Sequence, residues 1–323
     1  MLYSPASVGR LSLPNRLVLP PMHSGTGVSG EVTPATVEHY VNRAAGSHPG
    51  LIIVEHSYIR EDGRADSSQL SIAEDARIDG HRRLTDAVHA QGCSVILQLN
   101  HAGSQAEPSE ERQPVSAGAL PSPRTKHPVR PRPLTVAEIR DLEDCFAQAA
   151  LRAMQAGYDG VELHCAHGYL LNQFYSPLTN PRTDEYGADS VENRCRFTLE
   201  TLAWVRKTLG AEVPIAVRLG GCDYLEGGST EEDAVAASRL LEAAGADLLD
   251  LSGGMCGFIL PDRPEPGTFS TMTEKVRAAV SVPVLLTGGV TTPAQAEALL
   301  RDGKADLIGV GRALFRDPDW GKR

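Results

Sequence analysis

Val161-Glu162-Leu163-His164 and Ile215-Ala216-Val217-Arg218-Leu219 are two short runs built mainly from branched apolar residues, separated by a helical pattern over 190–209. Runs of this length bounded by helices read as strands that pair in parallel and are buried on both faces. The same unit recurs outward in both directions. Leu17–Pro20, Leu51–Val54 and Val95–Leu99 precede the pair, and Leu248–Leu251, Val284–Thr287 and Leu307–Val310 follow it. Helical patterns over 35–45, 76–90, 135–156, 230–244, 271–280 and 292–301 fill the other intervals. Eight strand–helix units predict a closed (β/α)8 TIM barrel. The rival is an open doubly wound sheet, but no G-x-G-x-x-G follows the first strand, which removes its best support.

Helix ends are legible too. Thr135 with Glu138, Thr230 with Asp233 and Thr271 with Glu274 predict helix N-caps. Thr33-Pro34 and Thr292-Pro293 put proline in a first helical turn, where its missing N–H costs nothing. Gly92, Gly157, Gly210, Gly245 and Gly303 fall where helices should stop. The chain reads as one domain over 1–323. A proline-rich loop over 101–134 follows the third strand, and such a loop is expected to lie across the barrel mouth.

Composition narrows the function classes. The chain has 323 residues, 41% of them hydrophobic and 22% charged, with a formal charge of −10. That is globular composition and disfavours binding to a phosphate backbone, so no nucleic-acid partner is expected. No stretch approaches the ~18 apolar residues of a membrane span, and Met1 to Arg10 lack the pattern of a signal peptide. Cys93, Cys145, Cys165, Cys195, Cys222 and Cys256 form no C-x-x-C pair. Reduced thiols in a cytoplasmic protein are therefore expected, with no metal site. His39, His81 and His89 sit in helical patterns as solvated or packed residues, and Glu110 and Glu111 read as ordinary surface charges.

Alternate residues of barrel strands point inward. If the apolar side chains face the helices, then Gln98, Asn100, Glu162, His164 and Arg218 face the interior. Two readings are open for Arg218: an internal ion pair with Glu162, or a ligand that becomes negative. Thr287-Gly288-Gly289 and Gly309-Val310-Gly311-Arg312 follow the seventh and eighth strands, where such barrels often bind phosphate. Each glycine pair is otherwise an ordinary turn. Phosphate on one side and an arginine in the middle suit FMN, with the guanidinium at the edge where charge develops on reduction.

His164-Cys165-Ala166-His167-Gly168-Tyr169-Leu170 closes the fourth strand. Two neutral imidazoles at this spacing can donate to one carbonyl oxygen, and a nearby tyrosine can supply a proton. Metal ligation lacks an evident third ligand, and packing histidines are the other alternative.

The sequence resembles the Old Yellow Enzyme family of FMN-dependent NAD(P)H:flavin oxidoreductases along nearly its whole length. The resemblance is carried by Leu13-Pro14-Asn15-Arg16-Leu17-Val18-Leu19-Pro20-Pro21-Met22, by Gln98-Leu99-Asn100-His101-Ala102-Gly103 and by the strand-four text. It is most specific over Ser176-Pro177-Leu178-Thr179-Asn180-Pro181-Arg182-Thr183-Asp184-Glu185-Tyr186-Gly187 with Glu192-Asn193-Arg194. The resemblance implies FMN at the barrel mouth, lined by Pro21 and Met22, with Gln98 on the pyrimidine edge and Arg218 by N1. It implies Gly288, Gly289, Gly311 and Arg312 at the phosphate, with His164 and His167 on the substrate oxygen and Tyr169 as proton donor. NADPH or NADH would reduce the flavin, and an α,β-unsaturated carbonyl compound would then take the hydride.

Three positions depart from the related bacterial subgroup. His23 replaces a flavin-tuning cysteine, Gly25 a substrate-orienting tyrosine, and His56 a small residue beside the flavin. Met22-His23-Ser24-Gly25 looks more like the 2,4-dienoyl-CoA reductase branch, whose iron–sulfur extension neither the length nor the cysteines here allow. His23 and His56 are thus expected at the cofactor. The loss of the tyrosine and cysteine keeps a second activity open, oxidative demethylation or desaturation of a small molecule. Arg323 lies too near the barrel for the reach into a neighbour's site seen in some relatives, and a homo-oligomer remains open.

Overall fold

The computed structural model describes residues 1–109, 113–124, 129–260 and 262–322. Glu110, Glu111 and Arg323 lie outside the described residues. All eight expected strands form: β1 (Leu17–Leu19), β2 (Leu51–Tyr58), β3 (Ser94–Asn100), β4 (Gly160–Cys165), β5 (Ile215–Cys222), β6 (Leu248–Gly253), β7 (Val284–Thr287) and β8 (Leu307–Gly309). They pair in parallel in sequence order, and β8 closes on β1 through Ile308 opposite Leu17 and Gly309 opposite Val18. The helices are α1 (Pro34–Ser47), α2 (Ile78–His89), α3 (Val136–Gln155), α4 (Leu170–Tyr175), α5 (Val191–Leu209), α6 (Glu231–Ala243), α7 (Ser270–Arg277), α8 (Pro293–Arg301) and α9 (Arg312–Arg316).

The period of two divides each strand between two cores. Leu17, Ile52, Val54, Val95, Leu97, Val161, Leu163, Val217, Leu219, Leu249, Leu251 and Leu286 pack under the helices. Val18, Leu51, Ile53, Ile96, Ala216, Leu248, Leu285 and Leu307 fill the barrel's interior at the end where the strands start. Val8 and Leu13 complete that inner cluster. They come from an antiparallel hairpin, Ala6–Val8 with Leu11–Leu13, that plugs the barrel floor and that the strand–helix count did not anticipate. Toward the other end the inward positions turn polar: Gln98, Glu162, His164, Arg218, Asp250 and Ser252 are all buried. The floor is a dry seal, and the chemistry is confined to the mouth.

Thr33, Thr135, Thr230 and Thr292 all cap their helices, each in a reciprocal capping box. Thr271 does not. The helix α7 begins one residue earlier with no side-chain cap, and the Thr271 hydroxyl instead donates to Glu231 at 2.7 Å. Gly92, Gly157, Gly210, Gly245 and Gly303 all take positive φ, as helix stops require. The proline-rich stretch has more structure than a plain loop. Gly103–Gln105 forms a 3-10 turn, and Val115–Ser116 pairs with Arg132–Pro133. Its described residues are tied to the strand ends at the mouth: Gln105 Nε2 donates to the His167 carbonyl at 3.0 Å and Arg124 Nη1 to the Cys256 carbonyl at 3.1 Å. His81 is packed, its ring between Tyr158 and the Ser71 carbonyl, while His89 meets Asp159 near the surface. No helix among the described residues is long and apolar enough to cross a membrane.

Leu13 is buried in the floor cluster, so Leu13→Ala removes apolar contacts and leaves a cavity. Equilibrium urea unfolding should show a loss of about 2–5 kcal/mol. A loss below ~1 kcal/mol would show that the hairpin is not a seal.

Candidate active site

All thirteen residues singled out from the sequence line one cavity of about 640 Å³ at the barrel mouth. Thr287 and Gly309 of the two expected phosphate loops line it too, as do Ser252, Phe258 and Arg316, which were not foreseen. Asp250 and Glu55 were also missed, although Asp250 interrupts an apolar run, Leu249-Asp250-Leu251, in the way that drew attention to Arg218.

Of the two readings open for Arg218, the ion pair with Glu162 does not form. Arg218 Nη1 lies 3.2 Å from Asp250 Oδ2 instead, one strand further round. The contact has ion-pair distance without hydrogen-bond alignment, and both Arg218 Nε and Nη1 lack hydrogen-bond partners. Glu162 takes a hydrogen bond from Gln98 Nε2 at 2.8 Å, and its other oxygen has none. Burial, reinforced by the Asp250 charge, raises the Glu162 carboxyl well above the usual range, so it is a neutral acid. Burial also lifts Asp250 to about 6, against the pull of Arg218. A buried guanidinium with two unspent donors is costly, and it calls for an acceptor in the cavity.

The strand-four residues converge through a strained turn. His167 and Gly168 both adopt left-handed backbone, at φ 58° and 73°. A Cβ at residue 168 would come within 2.6 Å of Ser122 Oγ, so only glycine fits. The Gly168 N–H is held by Asn172 Oδ1 at 2.7 Å. The turn brings the His164 ring to 5.2 Å from His167 and 5.0 Å from Tyr169, centroid to centroid. Burial pushes both imidazoles well below their usual pKa, and the Arg218 charge adds to it, so both are neutral N–H donors. The His167 Nε2 meets Ser252 Oγ at 2.8 Å, leaving Nδ1 free for the cavity. Burial raises Tyr169 to about 12, which keeps the phenol protonated, and its hydroxyl has no partner among the described residues.

His23 is a different kind of histidine. Its Nδ1 lies 2.8 Å from Glu55 Oε2 and its Nε2 3.0 Å from Ser68 Oγ. The Ser68 hydroxyl already donates to Asp66 Oδ1 at 2.7 Å, so it can only accept from His23. Both ring nitrogens therefore carry hydrogens, and the ring is an imidazolium. Asp66 and then Glu55 raise its pKa to about 10. Glu55 is buried, yet hydrogen bonds from His23 and Ser24 hold it below the usual carboxylate range.

The residues fit FMN. The orphaned Arg218 donors offer a place for the ring edge that gains charge, while Gln98 spends one amide hydrogen on Glu162 and keeps its carbonyl oxygen. At the other side, Gly288, Gly289, Gly311 and Arg312 border the cavity without bulk. A Cβ at residue 289 would lie 2.8 Å from the Glu265 carbonyl, and one at 311 would lie 2.7 Å from Met22 Sδ. Arg312 and Arg316 add positive charge at this rim, the charge expected opposite a phosphate.

Comparison with known proteins agrees with this geometry. The chain is 37% identical over 330 residues to an NADH oxidase of Thermoanaerobacter brockii, covering 100% of this chain and 50% of that protein. It therefore spans about half the length of that relative. It is also 37% identical over 320 residues to an NADPH dehydrogenase of Bacillus subtilis strain 168, covering 98% of this chain and 92% of the other. The structure of an old yellow enzyme homologue from Zymomonas mobilis superposes with a TM-score of 0.85 at 30% identity, over 100% of this chain and 91% of that one. The family model of the NADH:flavin oxidoreductase / NADH oxidase family matches residues 1–323. The barrel, the cavity and these matches together place the chain in that family, as a flavoprotein of Old Yellow Enzyme type whose cofactor is FMN.

Proposed function

We propose that the protein reduces the activated C=C bond of α,β-unsaturated carbonyl compounds. The observation that carries this reading is the meeting, in one cavity, of two neutral imidazoles with a protonated tyrosine that has no other partner. Bound FMN supplies the chemistry of taking a hydride from NAD(P)H and delivering it to an acceptor. Pro21 and Met22 would line the ring, Arg218 would face its electron-accepting edge, and Gly288, Gly289, Gly311 and Arg312 would hold the phosphate.

His164 and His167 would donate to the substrate's carbonyl oxygen. That withdraws electron density from the alkene and favours hydride arrival at the β-carbon. Tyr169 would give its proton to the α-carbon, so that one hydride and one proton are added and NAD(P)⁺ is the other product. The alternative, oxidative demethylation or desaturation, withdraws a hydride from its substrate and has no use for an acid poised beside the acceptor carbon. The free Tyr169 hydroxyl favours reduction.

Three measurements test the assignment. Tyr169→Phe should slow reoxidation of the reduced enzyme by 2-cyclohexenone roughly 10²–10⁴-fold, while anaerobic bleaching by NADPH stays nearly unchanged. Equal loss in both half-reactions would remove the proton-donor role. His164→Ala should weaken phenol binding, followed by its long-wavelength band with the flavin, by about tenfold to a hundredfold. Unaltered affinity would contradict substrate-oxygen binding at His164. His23→Gln removes a positive charge that persists until pH approaches 10. The midpoint potential of the bound flavin should fall in spectroelectrochemical titration at pH 7, and an unmoved potential would show that His23 merely fills the site.

A further inference from the structure

The strand β2 carries a feature that its alternation does not predict. Leu51 and Ile53 face the barrel interior, while Ile52 and Val54 face the helices. Continued alternation would send His56 outward with them. The pairing of β2 with β3 slips between Val54 and Ser57, a bulge that re-aims the intervening residues Glu55 and His56. His56 is thereby turned into the cavity wall.

Its tautomer is fixed by its neighbours. The Gln69 side-chain oxygen accepts from the Ala65 N–H at 2.7 Å, and its Nε2 donates to the His56 carbonyl at 3.2 Å. The same Nε2 lies 2.9 Å from His56 Nδ1, and Asn100 Nδ2 approaches that nitrogen at 3.3 Å. Facing amide donors, Nδ1 must present its lone pair, so the hydrogen is on Nε2. Burial and the His23 charge lower the ring's pKa to about 4, so it stays neutral. Nε2–H has no partner among the described residues. The ring stacks on Tyr169 at 5.3 Å and 28° and lies 6.2 Å from His164.

We propose that His56 is a specificity-determining residue: its Nε2–H is a third imidazole donor to the substrate's activating group, selecting alkenes whose group carries two oxygens, of which nitro is the uncharged example. This rests on the alkene-reduction reading above. A ketone oxygen has two lone pairs, and His164 and His167 already suit both. The third N–H would then go unpaired on binding, at a cost of about tenfold or more in affinity. A second oxygen removes that cost. The His23 imidazolium lies 5.6 Å from His56 and is balanced by Glu55 and Asp66, so selection rests on the Nε2–H itself. Among the described residues no carboxylate lines the cavity.

The test uses the FMN-loaded protein and the variant His56→Phe, which keeps a stacking ring and loses the donor. Titration of the oxidised enzyme, read by flavin absorbance, should show benzoate affinity falling about tenfold or more while phenol affinity holds or rises, because the unpaired donor is gone. The same split should separate kcat/KM for 1-nitrocyclohexene from that for 2-cyclohexenone. If neither alkene is reduced, the alkene-reductase reading fails, and the benzoate–phenol comparison still judges His56. Equal effects on the two ligands overturn the proposal. So does a change confined to FMN affinity or flavin potential, which would assign the donor to the cofactor. Should the variant not fold, ¹⁵N resonances of the wild-type His56 ring decide: an unprotonated Nδ1 supports the proposal, and a protonated Nδ1 sinks it.

Discussion

A guanidinium sealed inside a barrel must find an acceptor, and the rest of the mouth is arranged around that demand. Arg218 sits on β5 with most of its surface removed from water, yet its one carboxylate neighbour, Asp250, is poorly aligned with it. Glu162 could have neutralised it but is protonated and held by Gln98 instead. The charge is therefore compensated in part and left with donors to spare. A site built this way is ready for a ligand edge that becomes negative, because the positive field exists before the electrons arrive and costs no reorganisation when they do.

The apolar floor makes that arrangement tolerable. Val8 and Leu13 of the hairpin close the interior beneath Leu51, Ile53, Ile96, Ala216, Leu248, Leu285 and Leu307. Closing this end to water strengthens electrostatic interactions in the polar layer above it. It also accounts for the division among the histidines. Those on the polar layer, buried His56 and His164 and half-buried His167, are driven neutral, whereas His23, clamped by Glu55 and Asp66, is driven charged. One cavity wall thus offers both neutral donors and a fixed cation, using a single residue type in different surroundings.

Backbone irregularity does the fine placement. The left-handed pair His167-Gly168 folds the chain back so that His164, His167 and Tyr169 meet. The bulge in β2 turns His56 away from the helices. Both departures occur where strands reach the mouth, and the intervening regular pairing keeps them in register with Arg218 and Asp250. Strain and bulges at a ligand site are sustained by the ordered barrel around them.

The sequence by itself determined the barrel, because eight short apolar runs buried on both faces have few other ways to pair. Its alternation also placed Gln98, Glu162, His164 and Arg218 inside, and two of its three proposed threonine caps hold, as do both prolines in a first helical turn. It did not reveal the hairpin plug, since two strands of three residues each have too little pattern to stand out. Nor did it choose Asp250 over Glu162 as the neighbour of Arg218, because both are inward acids on strands flanking β5 and only the register sets Asp250 opposite Arg218 and Glu162 opposite Ala216. The charge on His23 and the tautomer of His56 were likewise decided in three dimensions. Each depends on which oxygens and amides distant segments bring to the two ring nitrogens, and a one-dimensional pattern carries no information about that.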